Sequence, residues 1–109
     1  MKTVIIATLR FEGFHSWGDA PSEVGFLRAR HRHMFHVRAE KEVTHDNRQI
    51  EFILLKRELE QGINVIQFKE RDACETWSCE MWAKRLLQDF KLSACEVSED
   101  GENGARVEA

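Results

Sequence analysis

His31-Arg32-His33 is the segment of this chain whose residue types and spacing could do chemistry. On a β-strand, residues two apart face the same side, so both imidazoles project together with Cβ atoms roughly 6–7 Å apart. Two such nitrogens can reach one metal ion at about 2.0–2.1 Å, the usual zinc–nitrogen distance. His15 ends an earlier strand-like segment, and a loop over 16–27 can fold that strand back to place it opposite the pair. Three histidines leave a fourth tetrahedral position for water or substrate, as in a catalytic zinc site and not a structural one. HxH alone is a weak signal, and with arginines around it the spacing also describes a merely basic strand. His36 breaks the parity and is expected on the other face, and His45 falls in a turn. Cys74 and Cys79 lie near a helix start, where a thiol pKa can fall, although a buried small hydrophobe is the commoner role.

The elements that must position these groups follow from the hydrophobic pattern. Residues 3–15 alternate, with Ile5, Ala7, Leu9, Phe11 and His15 on one parity, which predicts a half-buried strand. A second strand is expected over 29–43, with His31, His33, Phe35, Val37 and Ala39 facing one way and Arg30, Arg32, Met34, His36 and Arg38 the other. Residues 44–48 read as a hairpin turn and 49–52 as the returning strand. From Ile53 the period becomes helical through Leu55 and Leu59, with Gly62 expected to stop the helix. Residues 63–68 read as a short strand or extended connector. Asp72, with Glu75 at capping-box spacing, is expected to start a second helix. Its apolar stripe would be Trp77, Met81, Leu86, Leu87 and Phe90, with Trp82 flanking it. Strands over 92–99 and 105–109 close the chain. The expected fold is α+β, an antiparallel sheet covered by two helices on one face.

Composition narrows the function classes. The chain has 109 residues and 42% hydrophobic content, enough for one domain spanning 1–109 and incompatible with wholesale disorder. No apolar run reaches the roughly 18 residues of a membrane span, and the opening MKTVIIATLR lacks a small-residue cleavage site, so it reads as a strand and not a signal peptide. Three cysteines, Cys74, Cys79 and Cys95, cannot all pair, and reduced thiols in a cytoplasmic protein are expected. The net charge of −3 disfavours nucleic acid and acidic membranes as partners. Arg28, Arg30, Arg32 and Arg38 nevertheless stand with three histidines in an acid-free run, which suits a small anionic ligand or, equally, a strand face balanced by neighbouring acids.

Several segments, taken in order, resemble the 6-pyruvoyl/6-carboxy-tetrahydropterin synthase family. They are Phe11-Glu12-Gly13-Phe14-His15, His31-Arg32-His33-Met34-Phe35, Gln49-Ile50-Glu51-Phe52 before Leu54-Leu55-Lys56, Ser78-Cys79-Glu80 with Ala83-Lys84, and Val97-Ser98-Glu99 before a glycine-containing turn. The matching family features are a strand ending in an AAH-like tripeptide, an HGH followed by an aromatic, an I-D-F before a helix, a T-x-E helix start and a pterin-gripping glutamate.

The resemblance implies the tunnelling fold, a four-stranded antiparallel sheet with two helices on one face, whose subunits join edge to edge into stacked rings. It implies Zn2+ on His15, His31 and His33, a pterin or purine-like ligand such as 7,8-dihydroneopterin triphosphate, and Glu99 holding that ligand's guanidine-like edge. Arg28 or Arg30 would hold the triphosphate. The activity implied is a lyase step of pterin or 7-deazaguanine (queuosine precursor) synthesis. A homo-oligomer, a hexamer of two stacked trimers, is expected, because the sheet's edges and second face would be uncovered and Phe35, Val37 and Ala39 make an apolar face.

The departures are specific. The family's cysteine just upstream of HGH is missing, since residues 16–30 contain none. Its Asp-His pair after the first helix is missing too, since no histidine follows His45. Catalytic residues are therefore unassigned, and a zinc- and pterin-binding oligomer without turnover is the alternative. General acid–base help is typically worth about 10²–10⁴ in rate, so slow or absent turnover is expected.

Overall fold

The computed structural model describes residues 1–109. Two long strands, β1 (Thr3–His15) and β2 (His31–Val43), pair antiparallel along their whole length, from Thr3 opposite Val43 to His15 opposite His31. β2 then pairs with β3 (Ala94–Glu99), and β3 with β4 (Asn103–Glu108), giving a four-stranded antiparallel sheet in the order β1-β2-β3-β4. Helices α1 (Phe52–Lys69), the short α2 (Arg71–Cys74) and α3 (Cys79–Phe90) separate β2 from β3. The α+β class and the antiparallel sheet covered by helices are as the sequence leads one to expect.

The core lies between one sheet face and the helices. It joins Leu9, Phe35, Val37, Ala39, Cys95 and Val97 of the strands to Leu55, Leu59, Ile63, Trp82 and Leu86 of α1 and α3. Each Val, Leu, Ile or Phe side chain among them taken fully out of water contributes about 1.5–3 kcal/mol. Phe35 stacks on Phe11 at 5.1 Å between ring centroids, and Trp82 packs on both. The apolar face carrying Phe35, Val37 and Ala39 is thus buried within the chain, so it gives no reason for a second copy to cover it. The opposite sheet face is polar, with Thr8, Arg10, His36, Arg38, Glu96 and Arg106 along an open groove.

Several boundaries differ from expectation, each for a local reason. Residues 49–52 form no returning strand. The Gln49 side chain accepts from Thr44 and His45 backbone N–H groups at 2.7 and 3.2 Å, closing the loop, and Glu51 caps α1 by accepting from Ile53 N. Gly62 does not stop α1, and 63–68 are helical, because Ile63 and Ile66 continue the buried stripe of Leu55 and Leu59. Gly62 is where α1 meets the Phe90 ring of α3. Asp72 caps nothing. α3 starts at Cys79, where Ser78 Oγ accepts from Met81 N, while Glu75 pairs with Arg30 and Arg71. The buried stripe of α3 is Cys79, Trp82, Ala83 and Leu86, with Trp77, Leu87 and Phe90 packed against the core as expected, but Trp82 is buried and Met81 exposed, the reverse of the expectation for that pair. Part of the expected loop over 16–27 winds into a 3₁₀ helix at Ser22–Arg28.

Candidate metal centre

His15 closes β1 and His31 opens β2, and they are partners in the ladder. His33 lies two residues along β2, opposite Gly13, so alternation sets all three rings on the helix-covered face at one end of the sheet. Each can offer a ring nitrogen such that all three lie within 4.8 Å of one another, and together they could hold a metal ion. His15 Nδ1 and His31 Nε2 are 3.4 Å apart. Two nitrogens at about 2.0–2.1 Å from one tetrahedral ion are separated by roughly 3.4 Å.

The ring orientations are fixed from behind. His31 Nδ1 donates to the Ala29 carbonyl at 2.7 Å, and His33 Nδ1 donates to Asp100 Oδ2 at 2.8 Å. Each ring therefore turns Nε2 toward the shared point. His33 Nε2 is buried and has no well-directed hydrogen bond, although Glu99 Oε2 stands 2.9 Å from it. An imidazole nitrogen buried without a directed partner, beside two more, is a donor set suited to a metal ion.

Burial lowers the pKa of His15 below its usual 6.5, with Glu99 opposing that shift and His31 and His33 reinforcing it. The neutral ring so favoured is the form that binds metal. Asp100 is held below the usual carboxylate range by the Met34 N–H and by His33.

Glu99 ends β3, opposite Phe35, and reaches the cluster from the third strand. Its second oxygen, Oε1, accepts from the Cys79 thiol at 3.8 Å. Burial and Glu99 push the Cys79 pKa up to about 12, so its place at a helix start does not activate it. Arg32 points to the far face and pairs with Glu12 at 3.0 Å, leaving the space between His31 and His33 clear of a cation. The other arginines of the basic run are engaged nearby. Arg28 Nε donates to the Ala20 carbonyl at 2.8 Å. Arg30 makes a two-pronged contact with Glu75 and lies 3.8 Å over the Phe14 ring. The Arg30 guanidinium is thus paired with Glu75, and Arg28 is tied through Nε to the main chain. His36 lies on the groove side near Gly101, and His45 is exposed in the 44–51 loop.

Two contributors were not singled out by the sequence. Asp100 is one, and the only signal for it is an Asp-Gly pair following Glu99, which reads as a turn. The Ala29 carbonyl is the other, and a backbone atom leaves no mark in side-chain pattern. No helix is long and apolar enough to cross a membrane. No protein-family model matches the chain, and no curated protein matches it.

Proposed function

We propose that this chain is a cytoplasmic, zinc-dependent protein of the 6-pyruvoyl/6-carboxy-tetrahydropterin synthase kind, built on the tunnelling fold, that binds 7,8-dihydroneopterin triphosphate or a related pterin or purine. The observation that carries the reading is the convergence of His15, His31 and His33, with Glu99 standing 2.9 Å from His33. Zinc on the three imidazoles would acidify ligand hydroxyl and adjacent C–H groups. Glu99, as a charged acceptor for the N–H groups of a pterin edge, would contribute about 1.5–3 kcal/mol to binding. The Phe35 and Trp82 rings close the core behind the histidines and keep that side of the site dry.

Cys79 is the one thiol in contact with the site through Glu99, and its raised pKa makes it a poor base at neutral pH. The reading therefore favours ligand binding with slow or no turnover. The uncovered edges of β1 and β4 support assembly through strand edges, and a hexamer of two stacked trimers is the proposed form.

The experiment is metal analysis of the purified chain, followed by titration of a reduced pterin into the zinc-loaded protein, with chromatographic analysis for product. About one zinc per chain, saturable pterin binding weakened about tenfold or more by Glu99→Ala, and little product are expected. Absence of metal removes the reading. Conversion at ordinary enzymatic rates would restore the full synthase activity and require a base other than Cys79.

A further inference from the structure

The carboxylate next to Glu99 faces the opposite edge of the same imidazole. Asp100 Oδ2 accepts from His33 Nδ1 at 2.8 Å, while Asp100 Oδ1 accepts from the Met34 backbone N–H at 2.9 Å. The Asp100 N–H in turn donates to the Met34 carbonyl at 2.7 Å. Residue 100 is thus tied to residue 34 through main chain and side chain together, which fixes its second oxygen against the ring of residue 33.

The backbone at Asp100 has φ +57°, in the left-handed region, and Gly101 follows at +73°. Aspartate tolerates that region better than most residues, but glycine occupies it at no steric cost. The turn alone would be served at least as well by glycine, whereas the Asp100 side chain holds the Nδ1 edge of the His33 ring while Glu99 Oε2 stands 2.9 Å from its Nε2 edge.

A neutral imidazole carries one N–H, and the nitrogen left as a lone-pair donor is set by the hydrogen bond the other makes. His31 is keyed in the same sense by the Ala29 carbonyl. Two of the three rings in the cluster therefore have Nδ1 committed to an acceptor and Nε2 turned inward.

We propose that Asp100 is a positioning residue of the three-histidine centre, holding His33 in the Nδ1–H form so that Nε2 is presented to the metal ion. The inference rests on the metal reading above. It adds that the β3–β4 turn, and not only the two histidine-bearing strands, sets metal affinity. Partners of this kind behind a ligand histidine typically change metal affinity 10–100-fold when removed.

The test uses the full chain as wild type, Asp100→Gly and Asp100→Asn. Glycine suits the positive φ, so its effect is not backbone strain, and asparagine retains one acceptor oxygen. Zinc affinity is measured by competition with a chromophoric chelator. The His33 tautomer is read from long-range ¹H–¹⁵N correlations of the imidazole rings in chelator-treated protein. Asp100→Gly is expected to lose about 10–100-fold in zinc affinity and to shift His33 from the Nδ1–H toward the Nε2–H form. Asp100→Asn is expected to fall between it and wild type. Zinc binding and tautomer both unchanged in Asp100→Gly, with wild type still taking up zinc, would overturn this inference and leave the metal centre standing. Wild type taking up no zinc would overturn the metal reading itself and this inference with it.

Discussion

The ring of Phe35 occupies the space that a side chain at Gly13 would need. A Cβ on Gly13 would fall 2.8 Å from Phe35 Cε2, and that ring is fully buried and stacked on Phe11. Gly13 is also the ladder partner of His33. The bare backbone at residue 13 is therefore what allows the aromatic floor to lie directly behind the histidines.

Gly13→Ala should therefore destabilise the fold by about 1–3 kcal/mol, the usual cost of forcing an extra methyl into a packed core. Chemical denaturation measures this, and the variant should also bind metal less tightly because His33 moves with its floor. Trimming the ring with Phe35→Leu in the same chain should make the alanine less costly than it is alone.

Replacement of His31 or His33 by alanine should abolish tight metal binding while leaving a folded chain, since neither ring belongs to the apolar core. With zinc at about 100 times its dissociation constant, wild type gains roughly 2.7 kcal/mol of stability by mass action. Thermal denaturation with and without chelator should show that gain in wild type and none in either variant.

Acidification should weaken the metal-free fold through His15. Its folded pKa lies below the unfolded value of 6.5, so the unfolded chain takes up the proton more readily. The contribution is fully present above pH 6.5 and is lost as pH falls through 6.5 toward the folded pKa. Glu40, Glu70 and Glu75, held below 4.5 by arginine partners, add losses of the same sign only in a more acid window. Denaturation of chelator-treated protein between pH 7 and 5 should therefore show falling stability in wild type, and a flatter profile in His15→Gln.

The thiols should be slow to react. Burial raises all three, Cys79 and Cys95 to about 12, and the nucleophile is the thiolate. At pH 8 a disulfide reagent should label the native chain far more slowly than the unfolded one. Rapid labelling of the native chain mapped to Cys79 by peptide mass spectrometry would show that Cys79 is not seated as described.

The parts of the fold legible in the sequence are those where one periodicity is kept over a long run. β1 and β2 keep one alternation through most of their thirteen residues, with Val4, Ile6 and Phe14 as apolar exceptions on the outward parity of β1, and the same alternation puts His15, His31 and His33 on one face. The parts that misread are those where a single residue carries two meanings. Gly62 reads as a stop but serves as the seat of the Phe90 ring inside α1. Glu75 reads as half of a capping box, yet its carboxylate is committed to Arg30 and Arg71. Trp82 and Met81 are neighbours, and only the packing against Phe11 and Phe35 decides which of them turns inward. Asp100 acquires its role from β2, 66 residues away along the chain, a proximity no local pattern encodes.

The unbroken ladder from Thr3–Val43 to His15–His31 makes the site unequally tolerant of changes in chain length. Inserting or deleting one residue within either strand, with no bulge to absorb it, carries every residue beyond that point to the other face. His15 would then point to the solvent face, or the His31–His33 pair would turn outward while Arg32 turned in, with the sheet still closed. A two-residue change restores the face but slides the partners by one pleat. The stretch between His15 and His31 lies outside the ladder, and its length is free of this parity rule. Variation among relatives of this chain is therefore expected to collect in the 16–30 connection and to enter the two strands, where it enters them at all, in even steps.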